Sequence, residues 1–150
     1  MTKDTYTLIL NSQNATNATS INGQTQIQYY INWDSVIPYH MNAEKSQKYL
    51  LSFSLRTVGS VAALTENSFV EIIMGNTNSN EQSGTSNIIG VISPHTNHQT
   101  HYYIALPYDN MPVQIEHPST PIITVNFLNL DKVTAFNMIH YVLVLTFEAV

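Results

Sequence analysis

The sequence predicts an all-β fold: one domain over residues 1–150, an antiparallel β-sandwich, and more narrowly a single jelly roll of about eight strands. Three observations predict it. The closing segment alternates with period two. Strand-like runs rich in Ile, Val, Tyr, Phe and Thr recur along the whole chain. The connections between them are unequal, short turns mixing with long polar crossings, as in sandwiches whose strands swap between sheets.

In chain order, Tyr6, Leu8 and Leu10 alternate with Thr5, Thr7 and Ile9. Ile27, Tyr29, Ile31 and Trp33 alternate with Gln26, Gln28, Tyr30 and Asn32, which puts Trp33 on the apolar face of a strand. Tyr49, Leu51, Phe53 and Leu55 alternate with Lys48, Leu50, Ser52, Ser54 and Arg56. Further strands are expected at Phe69 to Met74, Ile88 to Ile92, His101 to Leu106, Met111 to Glu116 and Ile122 to Leu128. In the terminal run Ile139, Tyr141, Leu143, Leu145 and Phe147 form one face. Met138, His140, Val142, Val144, Thr146 and Glu148 form the other. Val142 and Val144 are not natural solvent-facing residues, so this strand needs a partner on each edge and a contact for its outer face.

Asn11 to Gln24 and Gly75 to Asn87 read as long polar loops. Only Ser60 to Glu66 suggests a helical turn. Pro38, Pro94, Pro107, Pro112, Pro118 and Pro121 all fall at strand ends or in loops, where a missing amide donor is tolerated.

The chain is 43% hydrophobic but only 10% charged, against about 25% in ordinary soluble domains. Asn, Gln, Ser and Thr supply the polarity instead, which suits a surface that ends up against other protein. The net charge is −5, and the five basic residues (Lys3, Lys45, Lys48, Arg56 and Lys132) are scattered. That excludes the clustered positive footprint of a nucleic-acid binder and a polybasic membrane anchor. With no cysteine there is neither a disulfide nor a thiolate metal site. No apolar run approaches the length of a membrane helix, and no signal-like segment follows Met1, so synthesis in a cytoplasm is expected.

Two runs carry a resemblance: Tyr29-Tyr30-Ile31-Asn32-Trp33-Asp34-Ser35-Val36-Ile37-Pro38, then Lys48-Tyr49-Leu50-Leu51-Ser52-Phe53-Ser54-Leu55-Arg56-Thr57-Val58. Following a short first strand and an Asn/Ser-rich loop, they resemble the single jelly-roll minor capsid proteins of large icosahedral double-stranded DNA viruses, the algal-virus type. The likeness covers the first 60 or so residues and marks core and corner positions. It implies a shell-building role in a virion, synthesis in a host cytoplasm, other capsid proteins as partners, and a trimer or pentamer. It transfers no catalytic residue.

His95, His98 and His101 are the one cluster with metal-ligand character. On a single extended strand His98 would oppose the other two, and no carboxylate or cysteine lies close by in sequence, so the simpler expectation is a solvated loop with no metal and no cofactor. No serine sits in a nucleophile elbow, no glycine loop cradles phosphate, and the carboxylates are dispersed. An enzyme is therefore not expected. Tyr108-Asp109-Asn110, between Pro107 and Pro112, reads as a rigid turn suited to contact. Tyr30, Tyr108 and one of Tyr102 or Tyr103 are the expected surface aromatics. Tyr30, Tyr108, Val142 and Val144 are the expected interface. Those tyrosines would also serve the alternative function, a carbohydrate- or receptor-binding head on the same sandwich.

Overall fold

The computed structural model describes residues 4–15, 17–21, 24–37, 48–57, 68–74, 87–97, 100–118, 120–128 and 141–150, with backbone alone for 17–21, 24–26, 94–97 and 100–102. Its strands are β1 (Thr5–Asn11), β2 (Asn17–Ile21), β3 (Gln24–Tyr30), β4 (Lys48–Thr57), β5 (Ser68–Ile73), β6 (Ile88–Ile92), β7 (Pro94–Asn97), β8 (Thr100–Ala105), β9 (Val113–Glu116), β10 (Ile122–Leu128) and β11 (Tyr141–Ala149). A 3-10 turn, Ser12–Asn14, follows β1, and a single helical turn, α1 (Trp33–Val36), follows β3.

Every pairing among the described residues is antiparallel. One sheet runs β1-β11-β4-β8-β7, with β9 also on β4; the other runs β2-β3-β10-β5-β6. Setting aside the accessory strands β2, β7 and β9, the remaining eight follow first-eighth-third-sixth in one sheet and second-seventh-fourth-fifth in the other. That order is the double Greek key of a jelly roll.

The alternation read from the sequence sets the core. Tyr141, Leu143, Leu145 and Phe147 on β11 are completely buried, facing inward beside Tyr49, Leu51, Phe53 and Leu55 of β4. β10 contributes Ile123, Val125 and Phe127 from the opposite sheet. Aromatic rings meet edge to face across this layer, Trp33 on Phe147 at 5.8 Å and Phe127 on Tyr141 at 5.1 Å, a geometry that satisfies the ring quadrupoles. The hydroxyls of Tyr29 and Tyr141 share a buried hydrogen bond of 2.9 Å between the sheets. Burial pushes both phenols above their ordinary pKa; in Tyr141 the neighbouring Tyr29 raises it further.

Several local expectations are corrected. The segment from Asn11 to Gln24 is not a plain loop: it holds the 3-10 turn and β2, an edge strand paired with β3. Trp33 does reach the core, but from α1 and not from a strand; the Ile37 amide closes that turn on the Trp33 carbonyl at 2.7 Å. Pro94 to Asn97 is likewise a strand, β7, hairpinned to β8. Of Tyr102 and Tyr103, the alternatives for one surface aromatic, Tyr103 is the buried one, and its amide donates to Thr57 Oγ1 at 3.0 Å; the Tyr102 side chain lies outside the described residues. Gly75 to Ser86 and Ser60 to Glu66 lie outside the described residues.

Candidate functional site

One segment interrupts a ladder. β8 pairs with Leu55 and Arg56 of β4, and β9 pairs with Lys48 to Leu51 of the same edge. Between them residues 106–112 leave the sheet as a tip. Pro107 and Pro112 bound it, and each lacks the amide a ladder would need. Inside the tip the Asp109 amide donates to the Leu106 carbonyl at 3.0 Å, while the Leu106 amide donates to Asp109 Oδ2 at 2.7 Å. The carboxylate is thus committed to holding the turn closed.

Asn110 ties the tip to the opposite sheet. The amide of Val91, on β6, donates to Asn110 Oδ1 at 2.9 Å, and Asn110 Nδ2 donates back to the Val91 carbonyl at 3.0 Å. A side-chain amide here copies the donor-acceptor pair of a strand residue and occupies part of the free edge of β6. Gly90 makes the approach possible. A Cβ at that position would stand 2.5 Å from Phe53 Cε1 and 2.7 Å from Asn110 Cγ.

The braced tip displays apolar side chains to solvent. Tyr108 is 79% and Met111 87% exposed, with Leu106 at 43% beside them. Docking of the tip would remove these side chains from water, at roughly 1.5–3 kcal/mol for each large one fully buried.

The other expected residues fall in two places. Val142 and Val144 are half-buried on the outer face of β11, flanked by β1 and β4 as the terminal strand required. Val144 stands opposite Ile9 of β1, which is 64% exposed, and opposite Ser54 of β4. Tyr30, 65% exposed, pairs across the ladder with Ile122 on the outer face of the second sheet. β3 and β6 are three strand spacings apart, about 14 Å, and Tyr108 belongs to the tip beyond β6. The structure therefore brings Val142 and Val144 together but does not join Tyr30 and Tyr108 in one platform.

Further along that outer face the β10 residues Thr124 and Asn126 are buried polar groups. Gln28 Nε2 donates to Thr124 Oγ1 at 3.4 Å, and Asn126 Nδ2 donates to Glu71 Oε1 at 2.8 Å. His98 lies outside the described residues. Backbone register sets His95 against Tyr102 and His101 against Thr96, on neighbouring rungs of the β7–β8 hairpin. Among the described residues no group of three or more His, Cys, Asp or Glu gathers to hold a metal ion, and no helix is long and apolar enough to cross a membrane.

The exposure of Met111 and the clasp of Asn110 on Val91 escaped the sequence reading, which placed Asn110 only in the turn. Met111 was expected to open a strand; the flanking prolines were the available signal that it would not. The Asn110 clip needs a partner 19 residues away on another sheet, and only Gly90 hints at it. Comparison with protein-family models, curated proteins and solved structures finds no match to this chain.

Proposed function

We propose that the chain is a structural building block, a minor capsid protein that joins other capsid proteins in an icosahedral shell through protein–protein contact. The observation that carries this reading is the braced tip. Two backbone-directed side chains, Asp109 and Asn110, hold a loop whose outward residues are Tyr108 and Met111. Display of aromatic and thioether surface on a braced loop is what an interface anchor requires, because little backbone conformational entropy remains to be lost on docking. The jelly-roll strand order, the sparse charge and the resemblance of the Tyr29–Pro38 and Lys48–Val58 runs to algal-virus minor capsid proteins support the same reading. In such a shell the copies would form a trimer or pentamer about a symmetry axis, and the residence would be the virion after synthesis in a host cytoplasm.

The test is incorporation into particles. A chain carrying Tyr108→Asp and Met111→Asp should fold with an unchanged unfolding temperature yet fail to enter particles that take up the wild type. Uptake at the wild-type level would refute the tip as the anchor. The exposure of Tyr30 and Tyr108 favours one rival, a sugar- or receptor-binding head. Specific glycan-array hits that vanish in Tyr108→Ala would establish that rival in place of the shell role.

A further inference from the structure

The free edge of β1 is built to pair with another strand. β1 ends its sheet: β11 is its one ladder partner among the described residues. The Ala149 amide donates to the Asp4 carbonyl at 2.9 Å, and in an antiparallel ladder the hydrogen-bonded rungs alternate. Asp4, Tyr6, Leu8 and Leu10 therefore spend their backbone groups on β11. Thr5, Thr7 and Ile9 aim their N–H and C=O groups away from the sheet, and Asn11 its N–H; as N-cap of the 3-10 turn, Asn11 gives its C=O to that turn. Side-chain exposure agrees that this edge is open: Thr5, Thr7 and Ile9 are exposed, and even the inward-facing Tyr6 and Leu8 are only half-buried.

Natural sheets protect such an edge with charge, proline, a bulge or brevity. The other described edges use these devices or a substitute. β9 is four residues long, follows Pro112 and ends on Glu116. β7 is four residues long and begins with Pro94; β6 is engaged by Asn110; β2 is five residues, Asn-Ala-Thr-Ser-Ile, with little apolar surface. β1 is Thr-Tyr-Thr-Leu-Ile-Leu-Asn: seven residues with no charge, no proline and no irregularity in its register.

We propose that β1 pairs antiparallel with β1 of a second copy across a two-fold axis, joining two sheets into one. Self-pairing is favoured by the sequence itself. With Leu8 on the axis, Thr7 faces Ile9 of the other copy and Thr5 faces Asn11, so the outward N–H and C=O groups of Thr7 and Ile9 find partners on both sides of the axis and the Thr5 carbonyl finds the Asn11 amide. Tyr6 meets Leu10 and Leu8 meets Leu8 on the inner side, apolar against apolar. No like charges are opposed, since Asp4 falls opposite Ser12. On the outer face the apolar pair Val144–Ile9 runs up to the seam, so the contact surface continues into the second copy. A seam of seven residues is far smaller than a standard interface of about 1,600 Å², so the dimer is weak and concentration-dependent. This inference is independent of the tip and stands whether or not the tip docks in a shell.

Sedimentation of the wild type, Thr7→Pro and Leu8→Cys proteins tests it. The Thr7 amide points outward, so proline there removes an intermolecular donor and leaves the β1–β11 ladder whole. The expected result is a wild type that shifts from monomer to dimer with concentration and a Thr7→Pro chain that stays monomeric with the same unfolding temperature. Leu8→Cys supplies the sole thiol of the chain. Across a non-hydrogen-bonded pair the Cα atoms stand about 4.5 Å apart, within disulfide range, so mild oxidation should link two copies. Should Thr7→Pro not fold, the cross-link alone decides. A wild type that remains monomeric up to about 1 mM overturns the proposal and leaves the edge to a strand of some other protein. A dimer that survives Thr7→Pro, or a dimeric wild type whose Leu8→Cys form stays unlinked, overturns it equally.

Discussion

The edges at β6 and β1 meet the same physical problem in opposite ways. Both belong to strands that end a sheet, and both would leave backbone donors and acceptors facing outward. At β6 the chain answers from within: Asn110 reaches from the opposite sheet and supplies one donor and one acceptor to Val91. At β1 no described residue does so, and the strand carries no charge or proline to discourage a partner. The difference teaches that an edge is closed here by a specific side chain set beside a specific glycine, not by the fold. A jelly roll closes its core and leaves its rims to local chemistry.

The closed edge breaks most severely at Gly90. A branched side chain in Gly90→Val would drive into Phe53 of the core and push Asn110 off Val91. The expected loss is about 3 kcal/mol, read from the denaturant midpoint, with aggregation as β6 becomes a second open edge. Next in size is the tyrosine pair behind the end of β1, where the Tyr141 amide also donates to Ser12 Oγ at 3.0 Å. Tyr141→Phe strands the buried Tyr29 hydroxyl and should cost about 1–3 kcal/mol. Adding Tyr29→Phe should restore much of it, a non-additivity that a double-mutant cycle measures.

The same pair gives a pH dependence whose sign follows from its raised pKa values. Above pH of about 10 an unfolded chain loses both phenolic protons while the folded one keeps them. The folded state then binds more protons, so stability is complete below that pH and falls as pH rises beyond it. The Tyr29→Phe/Tyr141→Phe protein should show a shallower alkaline decline in unfolding temperature.

A smaller effect is expected for Asn110→Ala, which removes two hydrogen bonds at an exposed position, each at the low end of the usual range, about 0.5 kcal/mol, and should free the tip while leaving the core intact. Smallest is Thr7→Pro, expected to change monomer stability by about 0.5 kcal/mol or less. That ordering is itself a test. A Thr7→Pro penalty as large as that of Asn110→Ala would mean the β1 edge is already engaged within the monomer.

The strands that bury side chains were legible in the sequence because burial on one face imposes period two. Tyr49 to Leu55 and Tyr141 to Phe147 alternate strictly, and every inward residue the pattern named on them is buried. β2 and β7 were not legible. Their sequences, Asn-Ala-Thr-Ser-Ile and Pro-His-Thr-Asn, carry no apolar alternation, and what makes them strands is a neighbour's backbone. Trp33 was assigned to the right side of the molecule by the wrong element, since a single helical turn also carries a residue inward. At the candidate site the rigidity near Tyr108 could be read from Pro107, Asp109 and Pro112. The clip could not, because it depends on where Val91 stands in space. The openness of β1 was hidden for the same reason: sequence shows a strand that lacks protection but not which strand ends the sheet.

Residue-resolved amide hydrogen exchange, run at low and at high protein concentration, tests the contrast between the two edges most directly. The expected result is a Val91 amide protected at every concentration, with Thr7 and Ile9 amides fast in dilute protein and slowed in concentrated protein. Thr7 and Ile9 amides that stay fast throughout, or a Val91 amide as fast as theirs, would contradict it.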